Sequence, residues 1–410
     1  MKKGGLFNHS KDNYGRNTLY SVFGFGILTL GNFLFNSIAG RKLGPEAFGV
    51  FNSFFYFLLS FTYPNTSLQL SVAKWTVENP SQSYKDVLTR LSKTLYLIGF
   101  ILAFAIMLAS PFLKRIFTLD SLVEVFIGAM IVFFWLVLAG YRGIYQGRLD
   151  FYNYGINTGA EGLARALAGI LLILAGLKVR GALFASVLGS IAGILLIFGQ
   201  GFKGLRSIFR EKLDIPIIKY FFKTCVTLIP FGFISSLDLT IVKYAGNKTD
   251  SGFLSACALF GKNLIILSLV FANVVFSYVL KKRENRLLPG IIFTIFSFIG
   301  STVFTLFFGE WIIMILFGRE FLVAAKLLPV YILSSLPLGI MQNLVNYSVA
   351  KDIKSTPVFL WIMLLVSIVI YYLSIKAFCV NTFLIIVMCL LFVWDMVLYA
   401  GIWIMRRETK

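Results

Sequence analysis

Leu95-Tyr-Leu-Ile-Gly-Phe-Ile-Leu-Ala-Phe-Ala-Ile-Met-Leu-Ala-Ser-Pro111 carries no charged residue from end to end. Its apolar side chains do not keep to one stripe, as they would on a helix covering a water-soluble core; they run all round. Lipid is the natural solvent for such a segment. Val125 to Gly140, Ala166 to Leu177 and Ile291 to Phe308 repeat the pattern. Window hydropathy predicts spans at roughly 17–39, 47–72, 94–113, 122–141, 154–176, 181–200, 219–243, 251–279, 288–308, 325–349, 357–376 and 381–404. About 20 apolar residues cross a hydrocarbon core of about 30 Å, so twelve spans use roughly 240 residues and leave short connections.

The composition agrees: 58% of the 410 residues are hydrophobic and 14% charged, against about 25% charged in a soluble domain. The first apolar block is too long, and with Asn32 and Asn36 too polar at its end, for a cleaved signal peptide, so it is expected to persist. The net charge of +20 does not point to nucleic acid. Lys and Arg fall in short clusters between apolar blocks, as topology signals do, with no basic groove. Cys225, Cys257, Cys379 and Cys389 lie in or beside apolar blocks without metal-ligand spacing, and His9 is the single histidine, which leaves no expected metal site and reads as buried thiols.

Counting Lys and Arg on alternate sides of the spans gives about 25 on one side and about 11 on the other. Both termini are therefore expected in the cytoplasm, together with the longest connection, about residues 201–218. That connection divides the chain into residues 1–200, an N-terminal lobe of six spans, and 219–410, a C-terminal lobe of six. The halves look like copies. Arg41-Lys-Leu-Gly-Pro-Glu-Ala-Phe-Gly49 answers Tyr244-Ala-Gly-Asn-Lys-Thr-Asp-Ser-Gly252 at an offset of about 203. Lys114-Arg-Ile-Phe117 answers Met314-Ile-Leu-Phe317, and Tyr145-Gln-Gly-Arg-Leu-Asp150 answers Val349-Ala-Lys-Asp-Ile-Lys354. An even number of spans per half makes these parallel repeats, and such pairs usually enclose a substrate path.

Four patterns resemble a known family: Arg41 to Gly49, Tyr141-Arg-Gly-Ile-Tyr-Gln-Gly147, Leu237-Asp-Leu-Thr-Ile-Val242 and Ile315-Leu-Phe-Gly-Arg-Glu-Phe321. They are similar to the polysaccharide or oligosaccharide flippases, a branch of the superfamily that also holds multidrug and toxin exporters and lipid II flippases. The resemblance implies an all-α fold of two six-helix lobes in a V around a central cavity, alternating access, and no covalent chemistry. It implies a cargo of lipid-linked oligosaccharide, of undecaprenyl-phosphate or pyrophosphate type, carried from the inner to the outer leaflet of the cytoplasmic membrane. The use would be cell-surface polysaccharide such as O-antigen or exopolysaccharide, beside membrane lipids and other polysaccharide-assembly proteins. No cofactor is implied, and H+ or Na+ would be the coupling ion.

The residues read independently of the family. Gly44-Pro45 makes a tight exit from the first span, and Gly155-x-x-x-Gly159 and Gly189-x-x-x-Gly193 are close-packing faces. An ionisable residue at bilayer depth costs about 2.5–3.5 kcal/mol or more and needs a partner or water. Glu161, Arg165, Asp238, Lys262 and Asp395 are such residues. By helical rise, Arg165 and Lys262 both reach about 16–18 Å, near the midplane, one per lobe. Facing a shared cavity they would offset the phosphate of a lipid-linked sugar, with Asn32, Asn36, Asn52, Tyr56 and Asn273 among polar stripes lining it. The competing reading is structural: Glu161 is four residues from Arg165, and Asp238 is within reach of Lys262 across neighbouring spans. Glu161, Asp238 and Asp395 are also the candidates for ion coupling. Pro64, Pro230, Pro329 and Pro337 lie within spans, where they would kink them.

Three other functions compete. A multidrug exporter would show a cavity dominated by carboxylates. A membrane glycosyltransferase or polymerase would need catalytic carboxylates in a sizeable outer loop, and the outer loops here hold about 4–16 residues. A scaffold subunit of an envelope-synthesis complex has no sequence signature to test. A phosphate-binding Gly-x-x-x-x-Gly-Lys-Ser/Thr loop is absent, so the chain is not its own ATPase.

Overall fold

A computed structural model describes residues 14–80, 83–199, 213–282, 287–351, 353 and 355–408. The elements among them are helices: α1 Tyr14–Leu59, α2 Thr62–Glu78, α3 Tyr84–Leu108, α4 Ser110–Ile116, α5 Leu122–Gly147, α6 Phe151–Leu174 and α7 Lys178–Gly199, then α8 Ile215–Ala245, α9 Asp250–Lys282, α10 Leu287–Leu316, a 3-10 turn at Arg319–Phe321, α11 Leu322–Ala350, α12 Thr356–Ala377 and α13 Val380–Glu408. Among the described residues eleven stretches are long and apolar enough to cross a membrane, and the first, Phe23–Glu78, is 56 residues long. That stretch holds two crossings. The chain is a multi-pass, all-helical membrane protein.

The departures from the sequence reading have local causes. The connection expected between the first two spans shrinks to Gly44, the one non-helical residue inside α1, at φ 71° and ψ 171°. A glycine takes that conformation without steric cost, and Pro45 restarts the helix where its missing N–H is not needed. The second span is broken at Ser60 and Phe61, whose amides bond three residues back to Phe57 and Leu58. Thr62 begins α2, so Pro64 sits in a first turn and does not interrupt a helix, whereas Pro230, Pro329 and Pro337 lie inside continuous helices. The third span ends at Leu108, and Pro111 falls at the start of the separate helix α4.

The repeat read from sequence reappears in how helices end. Phe117 N donates to Leu113 O at 3.0 Å, and 200 residues later Phe317 N donates to Ile313 O at 2.8 Å. Each pair is followed by a left-handed residue, Thr118 at φ 50° and Gly318 at φ 90°. At an offset of 203, Asp150 N donates to Tyr145 O at 2.9 Å and Ile353 N to Ser348 O at 3.0 Å. Bonds spanning five residues of this kind close helix C-termini in Schellman turns.

By compactness the chain forms two units: one of Met1–Asn36, Thr62–Pro111 and Ser121–Lys223, the other of Ser37–Phe61, Phe112–Asp120 and Thr224–Lys410. In the first, α5 packs against α2, α3 and α7, and α6 against α7. Glycines permit the closest approaches: a Cβ on Gly24 would lie 2.3 Å from Gly155 O, and one on Gly189 would lie 2.9 Å from Glu161 O. In the second unit α11 is central, packed by α9, α10 and α13. There Arg41, near the end of the first span, donates from Nε to Leu316 O at 2.9 Å and from Nη2 to Ile315 O, a cation on the last carbonyls of α10. A positive group at that end also meets the negative pole of the helix.

Candidate functional site

Each unit buries a group of paired charged side chains within its spans. In the first unit Glu161 on α6 is 4% exposed and Arg165, one turn on, 5%. Arg165 Nη2 bonds Glu161 Oε1, and Arg142 from α5 takes the other oxygen, Nη2 to Oε2 at 2.8 Å. Arg142 is held by Asn157, from Nε to Oδ1 at 2.7 Å and from Nη2 to the backbone oxygen at 3.2 Å. Asn157 in turn donates to Gly193 O at 2.6 Å, which ties α5, α6 and α7 together at this level. Arg165 Nη1 reaches Asn32 Oδ1 at 3.3 Å, and its guanidinium lies 5.7 Å from the Trp135 ring. Asn36 donates to its own helix at Asn32 O, 2.8 Å. Two guanidinia therefore share one carboxylate, leaving one positive charge uncompensated among the described residues. Arg165 Nε is buried with no partner there.

The second unit's group is balanced. Lys262 on α9, 8% exposed, lies 3.0 and 3.2 Å from the two oxygens of Asp238 on α8 and also donates to Ser235 O. The Tyr331 hydroxyl from α11 donates to Asp238 Oδ2 at 2.6 Å, and its ring lies 5.9 Å from Lys262 Nζ. Tyr56 and Tyr371 stand within electrostatic reach of the same carboxylate. Asn52 is buried one turn from Tyr56. The side chain of Asn273 lies outside the described residues.

Both ion pairs weighed at the sequence level are thus formed, Arg165 with Glu161 and Lys262 with Asp238. Asp395, on α13, joins neither group: it is 5% exposed, and neither carboxyl oxygen has a partner among the described residues. Sequence reasoning passed over two members. Arg142 was counted as a topology charge because it lies near a helix end, where long cationic side chains usually snorkel out; here it turns inward to Glu161. Tyr331 is neutral and fits any apolar span, so only the packing of α11 reveals it.

The whole arrangement is similar to solved transporters. Over 94% of this chain and 87% of the other, it superposes on the lipid II flippase MurJ in an inward closed conformation, with a TM-score of 0.66 and 18% identity. Over 95% and 98%, it superposes on an inward-facing multidrug resistance MATE family transporter of the MOP superfamily, with a TM-score of 0.70 and 14% identity. The eukaryotic MATE transporter AtDTX14 gives 0.62 and 12% over 95% and 96%. The chain has the fold of these transporters. No protein-family profile and no curated protein matches it by sequence.

Proposed function

We propose that this protein flips a lipid-linked, phosphate-bearing oligosaccharide from the inner to the outer leaflet of the cytoplasmic membrane by alternating access, for cell-surface polysaccharide synthesis. The observation that carries the reading is the surplus guanidinium of the Arg142–Glu161–Arg165 group, with a buried N–H at Arg165 Nε that has no acceptor among the described residues. At bilayer depth an uncompensated cation attracts an anion strongly, because few waters screen it. A guanidinium also presents paired donors that match two phosphate oxygens. Asn32, bonded to Arg165, would meet the cargo beside it. Asn36, Asn52, Tyr56 and Lys262 would bind the sugar or its carrier, and both termini and residues 201–218 would be cytoplasmic.

Export of an amphipathic cation is the alternative, supported by the likeness to multidrug transporters and by the unpartnered Asp395 carboxyl. Depletion and mutation separate the two. Depletion should accumulate lipid-linked glycan on the cytoplasmic face. Arg165→Gln should abolish flipping at unchanged membrane abundance, and Glu161→Gln combined with Arg165→Gln should not restore it. Full flipping by the double variant would rule out Arg165 as a phosphate-binding residue.

A further inference from the structure

We propose that Asp395 is a proton-binding site, held as a neutral carboxylic acid inside α13. The other three buried acids of the spans are satisfied: Glu124 by Arg180 and Ser121, Glu161 by two guanidinia, Asp238 by Lys262 and Tyr331. Asp395 lies within the membrane-capable stretch Val380–Trp403, and both its oxygens are buried without a donor among the described residues. Its neighbours Met396 and Val393 point outward, 72% and 52% exposed, so the carboxyl faces the interior of its own unit.

The helices packed against α13 are α11 and α12. Trp394 Nε1 donates to Ser367 Oγ at 3.2 Å and sets the register. Lys376 is then about 13 Å further out along α12 by helical rise, and Lys326 stands in the first turn of α11. Tyr372 points away from the core at 39% exposed, Tyr347 lies near the far end of α11, and Tyr331 is committed to Asp238. Tyr371 is the nearest titratable group along α12, one turn outward of Ser367, and its hydroxyl is itself unpartnered. On α13, Tyr399 is half exposed and Cys389 exposed. No cation meets the carboxyl among the described residues. An ionised carboxylate there keeps its full desolvation cost, and one proton removes most of it. The described residues hold no cluster of three or more acidic, His or Cys ligands, and added sodium is the arm of the test that separates Na+ from H+.

As a coupling site this rests on the transport reading above; proton binding itself does not. Infrared spectra of the full-length protein in proteoliposomes test it without cargo. At neutral pH the wild type should show the carbonyl band of a protonated carboxylic acid, Asp395→Asn should lose it, and Asp395→Glu should keep it at a shifted position. Added sodium at constant pH should leave the band unchanged. A band that survives Asp395→Asn, that Asp395→Glu does not move, or that sodium removes would overturn the assignment. Failure of the flippase reading would show instead in the Arg165 variants, with this band intact.

Discussion

The Tyr331 hydroxyl donates to Asp238 over 2.6 Å while the face of the same ring lies 5.9 Å from the Lys262 ammonium. One side chain therefore supports both members of an ion pair. Tyr331→Phe keeps the ring and removes the donor. Hydrogen bonds to charged groups contribute about 1.5–3 kcal/mol, and unfolding in detergent should show a loss of that order. In an Asp238→Asn background the same change should cost less, because the acceptor is no longer charged. Equal losses in both backgrounds would contradict the coupling.

Glu161 and Arg142 should separate folding from transport. Glu161→Gln leaves two buried guanidinia facing each other, and breaking a buried pair from one side costs about 3–5 kcal/mol. Membrane abundance should fall sharply. Arg142→Gln leaves the Arg165–Glu161 pair neutral, so the protein should accumulate normally while flipping drops about tenfold or more. Quantitative immunoblots of membranes beside an assay of lipid-linked glycan on each leaflet give both readouts. Normal flipping by Arg142→Gln would remove the surplus charge from the mechanism.

Thr118 occupies a left-handed position, φ 50°, that its counterpart Gly318 occupies at φ 90°. A β-branched residue there is strained by about 1–2 kcal/mol. Thr118→Gly should therefore raise the thermal midpoint and Gly318→Thr lower it, as read by fluorescence-detected unfolding. A destabilising Thr118→Gly would show that the threonine side chain offsets its own strain.

Cys379 is exposed between α12 and α13, whereas Cys225 and Cys257 are buried and Cys389 lies inside a membrane-capable stretch. The hydrogen bond from the Thr382 side chain, with the amides at the start of α13, lowers the Cys379 thiol below its ordinary value. If both termini are cytoplasmic, this loop is on the outside, and a membrane-impermeant maleimide should label intact cells at Cys379 alone. A lowered value means more thiolate near neutrality, so Thr382→Val should slow labelling there. The difference should vanish at alkaline pH, where both proteins are fully ionised. Labelling only after cells are opened would invert the topology.

The spans were legible because an all-round apolar helix needs no tertiary information to be recognised: the predicted segments 251–279 and 357–376 sit inside α9 and α12 as Asp250–Lys282 and Thr356–Ala377. Boundaries set by one residue's backbone were less so. Gly44 compresses a loop to a single non-helical residue, and Pro111 turns the tail of a span into a separate short helix. Among charged residues, depth identified Glu161, Arg165, Asp238, Lys262 and Asp395; helical spacing paired the first two, and the adjacency of neighbouring spans paired the next two. Depth could not say that Arg142 bends inward, because a long flexible side chain near a helix end has two solvents within reach. Nor could it say that Asp395 stands alone, since solitude depends on which neighbours fail to arrive.

Helix ends closed by the same bond at Asp150 and Ile353, and at Phe117 and Phe317, carry an internal repeat at the level of the backbone. Here one half carries the excess positive charge of Arg142 and Arg165, and the other holds a balanced pair and, separate from it, Asp395, unpartnered among the described residues. On the two proposals above, the backbone keeps the repeat while cargo attraction and energy input would fall to different copies of it.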